Sequence, residues 1–256
     1  MRRALPWLGT AAILLVLLGA WWLYTGLGAI DPLLLPSPPD VAESLWEDRA
    51  LLWDDFTVTA GEVLLGMVIA GAAGFVLPIL LHLSLPLRRS VYPLLIASQA
   101  IPIVILAPVL VTWLGYGIWP KLTIIALVAF FPIVVTTLDA LGRVDRELLA
   151  LMRTLDASRW RVLRHVELPA ALPGLFSGAK VAVAVAVIGA VFAEWIGSSS
   201  GLGHLVLTSL PQLLTARAFA AVLILSAFAI ALFGLLTLAE RMLVPWAHDS
   251  QQGRTR

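Results

Sequence analysis

Six long apolar stretches recur along the chain of 256 residues, and they constrain its fold more than any other feature. A helix of about 20 apolar residues is long enough to cross the roughly 30 Å hydrocarbon core of a bilayer. The stretches comprise residues 7–24, 57–81, 91–113, 121–141, 175–196 and 218–244. Because a backbone in lipid must satisfy its hydrogen bonds internally, they predict an all-α, polytopic membrane protein with about six transmembrane helices.

The composition supports the same fold class. Hydrophobic residues make up 60% of the chain and charged residues 13%, whereas an average soluble domain is roughly 45–50% apolar and about 25% charged. A soluble globule cannot bury so much apolar surface, and a disordered chain contains far less of it. The chain has no cysteine, which excludes disulfides and thiolate metal ligands. Its formal net charge of +1 gives no indication of a nucleic-acid partner.

The basic residues are distributed unevenly between the two sides of the predicted bundle. One side holds both termini and most of the basic residues, namely Arg2, Arg3, Arg88, Arg89, six arginines between positions 143 and 164, Arg241, Arg254 and Arg256. The other side holds Arg49, Lys121 and Arg217. Because cytoplasmic loops carry an excess of Lys and Arg, we predict that both termini are cytoplasmic and that the protein lies in the plasma (inner) membrane.

This orientation divides the chain into three parts. Residues 1–56 form an N-terminal anchor helix and an acid-rich external loop, residues 57–245 form the transmembrane core, and residues 246–256 form a cytoplasmic tail. Within the external loop, residues 41–53 carry apolar side chains at roughly helical spacing. They predict either a short amphipathic helix on the outer surface or a solvated acidic loop.

A long internal loop at residues 142–173 differs from the other predicted internal connection, which is short. Leucines at helical spacing within residues 148–155 predict that the fourth span continues as a helix into the cytoplasm. A second short helix is predicted at residues 157–165, with Asp156 and Ser158 as residue types that cap helices.

The second predicted helix of this loop combines basic and aromatic side chains, which are Arg159, Trp160, Arg161 and Arg164. Pro169 and Pro173 are predicted to end it. An exposed helix of this kind is typical of a docking element for a soluble partner, whereas basic segments beside a membrane also bind anionic lipid. The charge alone favours lipid, but the length of the loop and the tryptophan favour docking.

The chain contains no motif for chemistry of its own. The P-loop pattern G-x-x-x-x-G-K-[ST] is absent, as are H-E-x-x-H and G-x-S-x-G. The four histidines are scattered singly, without the spacing of metal ligands. We therefore expect no catalytic residue, no metal site and no cofactor in this chain.

The long internal loop resembles the cytoplasmic motif E-A-A-x3-G-x9-I-x-L-P of ABC-importer permeases. Residues 166–174 match the I-x-L-P of the motif and the P-A-A-L-P-G that continues it. Two positions depart from the motif, since A-L-M beginning at Ala150 replaces E-A-A and Asp156 replaces the glycine. Asp tolerates the left-handed conformation better than most residues, so we expect the turn to be retained.

Other segments resemble the nitrate, sulfonate and taurine branch of these permeases. They are L-P-S-P at 35–38, Q-A-I-P at 99–102, W-L-G-Y-G at 113–117 and A-E-W-I-G at 193–197. Within that branch they are most similar to permeases for thiamine-pyrimidine precursors and riboflavin. The resemblance implies the type I (MetI-like) permease fold and import of a small organic solute of this kind, with nitrate, a sulfonate or taurine as the alternative.

The same resemblance implies partners. It implies a permease homodimer in the lipid bilayer, cytoplasmic ABC ATPase subunits that bind the ATP, and an extracytoplasmic solute-binding protein. The residues that it assigns to contact with the ATPase are Asp156, Ala157, Ser158, Arg159, Trp160, Arg161 and Arg164.

Four residues are candidates for the solute pathway, namely Ser98 and Gln99 in the third span and Glu194 and Trp195 in the fifth. An aromatic heterocycle requires stacking faces and a few hydrogen-bonding groups in an apolar cavity. Gln99 is equally consistent with a hydrogen bond between helices, and Glu194 is consistent with an interfacial carboxylate that faces water.

Two other classes of protein fit parts of this pattern. An ion-coupled carrier usually has acidic residues near the middle of the membrane and a repeat between its halves, and neither is found here. A membrane scaffold requires the docking loop but no cavity. Co-purification of an ATPase separates the permease from the carrier, and transport by the reconstituted complex separates it from the scaffold.

The charge asymmetry predicts that the loop at 142–173 and the C-terminal tail share the cytoplasmic side. Ser158→Cys and Gln252→Cys, made singly in a chain without native cysteine, should resist an impermeant thiol reagent in intact cells and react after lysis. Asp54→Cys in the external loop is the control that should react in intact cells. Labelling of Ser158→Cys or Gln252→Cys before lysis contradicts the topology.

Overall fold

The computed structural model describes residues 5–27 and 30–246 of the chain, and these residues form helices and connecting turns without a β-strand. The α-helices are α1 (Leu5–Gly26), α2 (Pro38–Glu47), α3 (Arg49–Leu83), α4 (Leu85–Ser98), α5 (Ile103–Leu114), α6 (Ile118–Gly142), α7 (Arg146–Thr154), α8 (Arg159–Val162), α9 (Leu168–Gly197), α10 (Leu202–Ser209) and α11 (Thr215–Leu243). A π-helical turn, Leu163–Glu167, joins α8 to α9, and a 3₁₀ turn, Leu210–Gln212, follows α10.

The chain divides into two compact units. The smaller unit consists of Met1–Val58 and Ser199–Ser226, and the larger unit consists of Thr59–Ser198 and Ala227–Arg256. The predicted division at residues 56, 57 and 245 stays a prediction. Of the predicted C-terminal tail, residues 247–256 lie outside the described residues, as do Arg2 and Arg3 near the N-terminus.

The lengths and apolar character of the helices confirm the predicted fold class. In the described chain four helical segments are long and apolar enough to cross a membrane, namely α3, α6, the continuous run Arg159–Gly197 and α11. The pair α4 and α5 makes a fifth if it counts as one broken span. Helix α1 overlaps the predicted first span, but its apolar part, Ala12–Gly26, is shorter than the four spanning segments, so a sixth span stays a prediction.

The predicted third span at residues 91–113 is wrong as a single helix, because α4 and α5 meet at an angle of 101°. The main-chain N–H groups of Gln99, Ala100 and Ile101 bond to carbonyls three residues back, which tightens the end of α4. Pro102 has no N–H to continue the helix and disfavours the helical conformation of the residue before it. The chain therefore turns, and Pro102 becomes the N-cap of α5.

In the smaller unit the acid-rich loop contains a helix, as one of the two interpretations of the sequence predicts. Helix α2 is set by a capping box in which Ser37 accepts from the Asp40 N–H and Asp40 accepts from the Ser37 N–H. It ends at Glu47 rather than at the predicted residue 53, because Asp48 forms its C-cap and α3 begins directly after it.

The junction between α2 and α3 is fixed by an ion pair with α11. Arg217 donates from Nε to Asp48 Oδ2 at 2.9 Å and from Nη2 to Asp48 Oδ1 at 2.7 Å. The hydrogen bond from Arg217 holds the pKa of Asp48 below its ordinary value, against the opposing effect of burial. This bidentate geometry is stronger than an ordinary surface pair because both carboxylate oxygens accept at once.

In the larger unit α6 and α9 pack against each other more extensively than any other pair of helices in the described chain. Gly174 and Gly178, four residues apart on α9, face α6. A methyl group added at Gly174 would lie 2.9 Å from the Thr136 carbonyl oxygen, and one at Gly178 would lie 2.7 Å from the Pro132 carbonyl oxygen. Small residues at this spacing allow two backbones to approach closely within a membrane.

We expect Gly178→Ala to weaken the larger unit, because the added methyl group meets main-chain atoms of α6 that cannot rotate away. Overpacking of this kind costs about 1–3 kcal/mol. The measurement is the thermal unfolding midpoint of the purified protein in detergent. Gly234→Ala in α11, where a methyl group meets nothing within 4 Å, is the matched control. An equal effect of both substitutions would show that loss of glycine, and not the contact, is responsible.

Candidate functional site

The loop at residues 142–173 begins with a break rather than with the predicted extension of the fourth span. Helix α6 ends at Gly142, and α7 starts three residues after Arg143, the C-cap of α6. The Asp145 side chain accepts a hydrogen bond from the Glu147 N–H at 2.9 Å and so caps α7. The helical spacing of the leucines predicted α7 correctly, but continuity with α6 is wrong because Asp145 favours a new helix start.

Helix α7 ends in a left-handed turn at Asp156, the position where the permease motif has glycine. Asp156 has φ of 52°. The Ala157 N–H bonds to the Met152 carbonyl at 3.0 Å and the Asp156 N–H bonds to the Arg153 carbonyl at 3.0 Å, which is the Schellman pattern. The expectation that aspartate retains this turn is confirmed.

The second helix of the loop differs from its prediction in length and in its end. Helix α8 covers only Arg159–Val162, but the π-helical turn continues it directly into α9. Pro169 does not end the helix: it lies directly after the π-helical turn, at the start of α9, and the helical run continues through it. Pro173 lies inside α9 and does not end it either. The predicted stop at these two prolines is wrong.

The segment formed by α8 and the π-helical turn, which we call the docking segment (Arg159–Glu167), has two different faces. The Trp160 side chain is 63% exposed, and Arg161 and Arg164 are also exposed. Leu163 and Glu167 are buried. The exposed face therefore presents an indole and two guanidinium groups, the side chains that most often dominate protein interfaces.

The remaining residues predicted to contact the ATPase lie around this segment in different ways. Arg159 is exposed but donates from Nη2 to the main-chain carbonyl of His82 at 3.2 Å. Ser158 is the N-cap of α8, although its side chain makes no capping hydrogen bond. Asp156 is exposed and Ala157 is half-buried. Their roles at an interface stay predictions.

The solute-pathway candidates lie in two separate elements. Ser98 and Gln99 are at the end of α4, where the broken span turns, and Gln99 is exposed. Glu194 and Trp195 lie near the end of α9, and Trp195 is 39% exposed. Glu194 has no exposed surface, and its Oε1 accepts a hydrogen bond from Thr59 Oγ1 at 2.6 Å. The interpretation of Glu194 as a carboxylate facing water is therefore wrong.

The larger unit also contains a buried ion pair that was not predicted from the sequence. Lys121 Nζ donates to Glu62 Oε1 and, at 2.9 Å, to Ser198 Oγ. Lys121 is 7% exposed, so it is a buried charge rather than the loop residue that the charge count assumed. Glu62 Oε2 has no hydrogen-bond partner among the described residues. An acidic and a basic residue near the ends of two predicted spans were the signal for this pair.

We expect Lys121→Met to destabilise the protein by about 3–5 kcal/mol, because it leaves the Glu62 carboxylate buried without its counter-charge. The double substitution Glu62→Met with Lys121→Met removes both charges and should restore most of that loss. The unfolding midpoints of the single and double variants in detergent measure the difference. A double variant no more stable than Lys121→Met would contradict this account of the pair.

The chain is similar to known transport proteins over most of its length. The family described as the inner membrane component of binding-protein-dependent transport systems matches residues 62–246. A probable ABC transporter permease of Haemophilus influenzae is 38% identical over 85% of this chain and 89% of its own.

Two relatives have more specific names. The formylaminopyrimidine transport permease ThiX of Halalkalibacterium halodurans is 33% identical over 96% of this chain and 98% of its own. The riboflavin transport permease RibX of Chloroflexus aurantiacus is 35% identical over 94% of this chain and 91% of its own.

A chain of the MetNI methionine ABC transporter, solved in inward-facing conformations, shares the fold. Its TM-score is 0.55 at 22% identity, over 82% of this chain and 97% of that chain. The similarity to ABC-importer permeases therefore extends beyond the short motifs and covers residues 62–246. The chain belongs to the family of inner membrane components of binding-protein-dependent transport systems and is an ABC-importer permease subunit.

Proposed function

We propose that this permease forms the membrane pathway of an ATP-driven importer and that its docking segment binds a cytoplasmic ABC ATPase. The observation that carries the proposal is the two-faced docking segment, with Trp160, Arg161 and Arg164 exposed and Leu163 buried. An indole beside two guanidinium groups suits a cleft with apolar and acidic side chains. In this proposal the ATPase binds and hydrolyses ATP, and the permease carries no cofactor.

The solute that we propose is a small aromatic vitamin precursor, such as a thiamine pyrimidine, or riboflavin. Support comes from the names of two relatives at 33% and 35% identity, ThiX and RibX. A sulfonate or taurine is the second candidate, because permeases named for these solutes are 27% and 30% identical over nearly the whole chain.

Ser98, Gln99 and Trp195 remain our pathway candidates. Gln99 is an exposed amide at the break of a span, and its Nε2 donates to Ser98 Oγ at 3.5 Å. Glu194 is fully buried, so a contact with a solute requires the helices around it to rearrange.

The proposed assembly has a second permease copy, ATPase subunits on the cytoplasmic side and a solute-binding protein on the outer side. Both termini and the docking segment face the cytoplasm in this arrangement. The excess of arginine on that side supports the orientation, by the positive-inside rule. The family to which the chain belongs supports the two kinds of soluble partner.

We expect Trp160→Ala with Arg161→Glu to leave the protein in the membrane but to release the ATPase. A hot-spot residue contributes about 2 kcal/mol or more, so affinity should fall by roughly 30-fold or more. The measurements are co-purification of the ATPase and uptake of labelled aminopyrimidine, riboflavin and taurine. Uptake by the wild type identifies the solute class.

The matched control carries the same two changes on another exposed pair, Trp46→Ala with Arg49→Glu. Trp46 is 71% exposed, and Arg49 lies over its ring at 4.9 Å. This control should keep its ATPase. If the docking-segment variant also keeps its ATPase and takes up solute normally, binding of lipid explains the basic residues better than docking does.

A further inference from the structure

His82, near the C-terminal end of α3, contacts both ends of the docking segment. Its ring nitrogen Nε2 lies 3.1 Å from Glu167 Oε1. Its main-chain carbonyl accepts a hydrogen bond from Arg159 Nη2 at 3.2 Å. Arg159 begins α8 and Glu167 ends the π-helical turn, so these two contacts enclose the whole segment.

The apolar side chains beside His82 pack against the same segment. Leu163 is fully buried in a cluster with Leu141 of α6 and Ala171 of α9. Ile79 and Leu83, on either side of His82 in α3, pack against this cluster. The inner face of the docking segment is therefore joined to the end of α3 both by apolar packing and by hydrogen bonds.

The docking segment ends in a π-helical turn that contains both of its buried residues. The Leu168 N–H bonds to the Leu163 carbonyl five residues back, so the turn is wider than a regular α-helical turn. Leu163 and Glu167 are both buried, while Arg164 and His165 between them are exposed. Single π-turns occur often at functional sites in helices, where they reorient side chains.

We propose that His82 is the positioning residue through which movement of the docking segment is transmitted to α3. This inference rests on the proposed function, since it assumes that an ATPase binds the exposed face. A displaced segment moves Glu167 and Arg159 together, and both are bonded to His82. Helix α3 continues through Pro78 toward its N-terminal part, so displacement of its end is carried into the portion of the helix that belongs to the larger unit.

The role of Arg159 changes in this proposal. The resemblance to ABC-importer permeases groups Arg159 with Arg161 and Arg164 as a contact to the ATPase. Its hydrogen bond to the His82 carbonyl makes it part of the connection to α3 instead. Arg161 and Arg164 remain for the partner.

The test follows the movement of α3 directly in the complete complex with the ATPase. Leu80→Cys, a 48% exposed position two residues before His82, carries an environment-sensitive fluorophore in a chain that has no native cysteine. The measurement is the emission change on addition of MgATP and vanadate. We expect a clear change in the otherwise wild-type complex.

His82→Ala removes the bond to Glu167 without touching the exposed face. We expect it to remove most of the emission change, because the segment then keeps only the bond from Arg159 to the main-chain carbonyl of residue 82. Co-purification of the ATPase should be unchanged. His82→Gln, whose amide can donate to Glu167, should restore most of the signal. His204→Ala, at a half-buried histidine of α10, is the matched control and should leave the signal unchanged.

Several outcomes overturn the proposal. They are no emission change in the wild-type complex with bound ATPase, a full change in His82→Ala, or an equal loss in His204→Ala. If His82→Ala does not accumulate in the membrane, Glu167→Met replaces it, because methionine keeps the length of the side chain and offers no carboxylate to His82, and it should remove most of the emission change as well. A wild type that binds no ATPase contradicts the proposed function itself, and that result is distinguishable from all of these.

Discussion

The close approach of α6 and α9 is the contact on which the larger unit depends. Helices in lipid gain little from the hydrophobic effect, so their association relies on tight packing of small residues and on buried polar contacts. Gly174 and Gly178 place α9 directly against main-chain atoms of α6. The loop at residues 142–173 connects these two helices, and it therefore leaves from and returns to a rigid pair.

Because α6 and α9 form a rigid pair, the docking segment is attached to a firm support. A loop that is held only at its ends would deform when a soluble partner moves against it. The docking segment is held along its length, because Leu163 is buried against α6 and α9 and Glu167 is bonded to α3. In the mechanism that we propose, force applied at Trp160 would reach α3, α6 and α9 together. Toward the other end of the same helices, the Glu62–Lys121 and Thr59–Glu194 contacts join α3 to α6 and α9.

Several features of the fold and the site were predictable because they depend on local chemistry. The length of the apolar stretches predicted the membrane class, and helical spacing predicted α7. The left-handed turn at Asp156 was expected from the conformational tolerance of aspartate, and the structure has it. Proline was a less reliable signal, since Pro102 breaks a span while Pro169 and Pro173 lie within the continuous run from the docking segment through α9.

The sequence by itself determined that this chain is a helical membrane protein with a long basic loop, because apolar length, charge distribution and turn chemistry act over a few residues. Only the tertiary structure decided which charges are buried and which are exposed. Lys121 and Glu194 are buried because side chains 59 and 135 residues away along the chain complete their hydrogen bonds. His82 acquires its place beside the docking segment in the same way, because contacts between distant helices depend on packing that spacing along one helix does not encode.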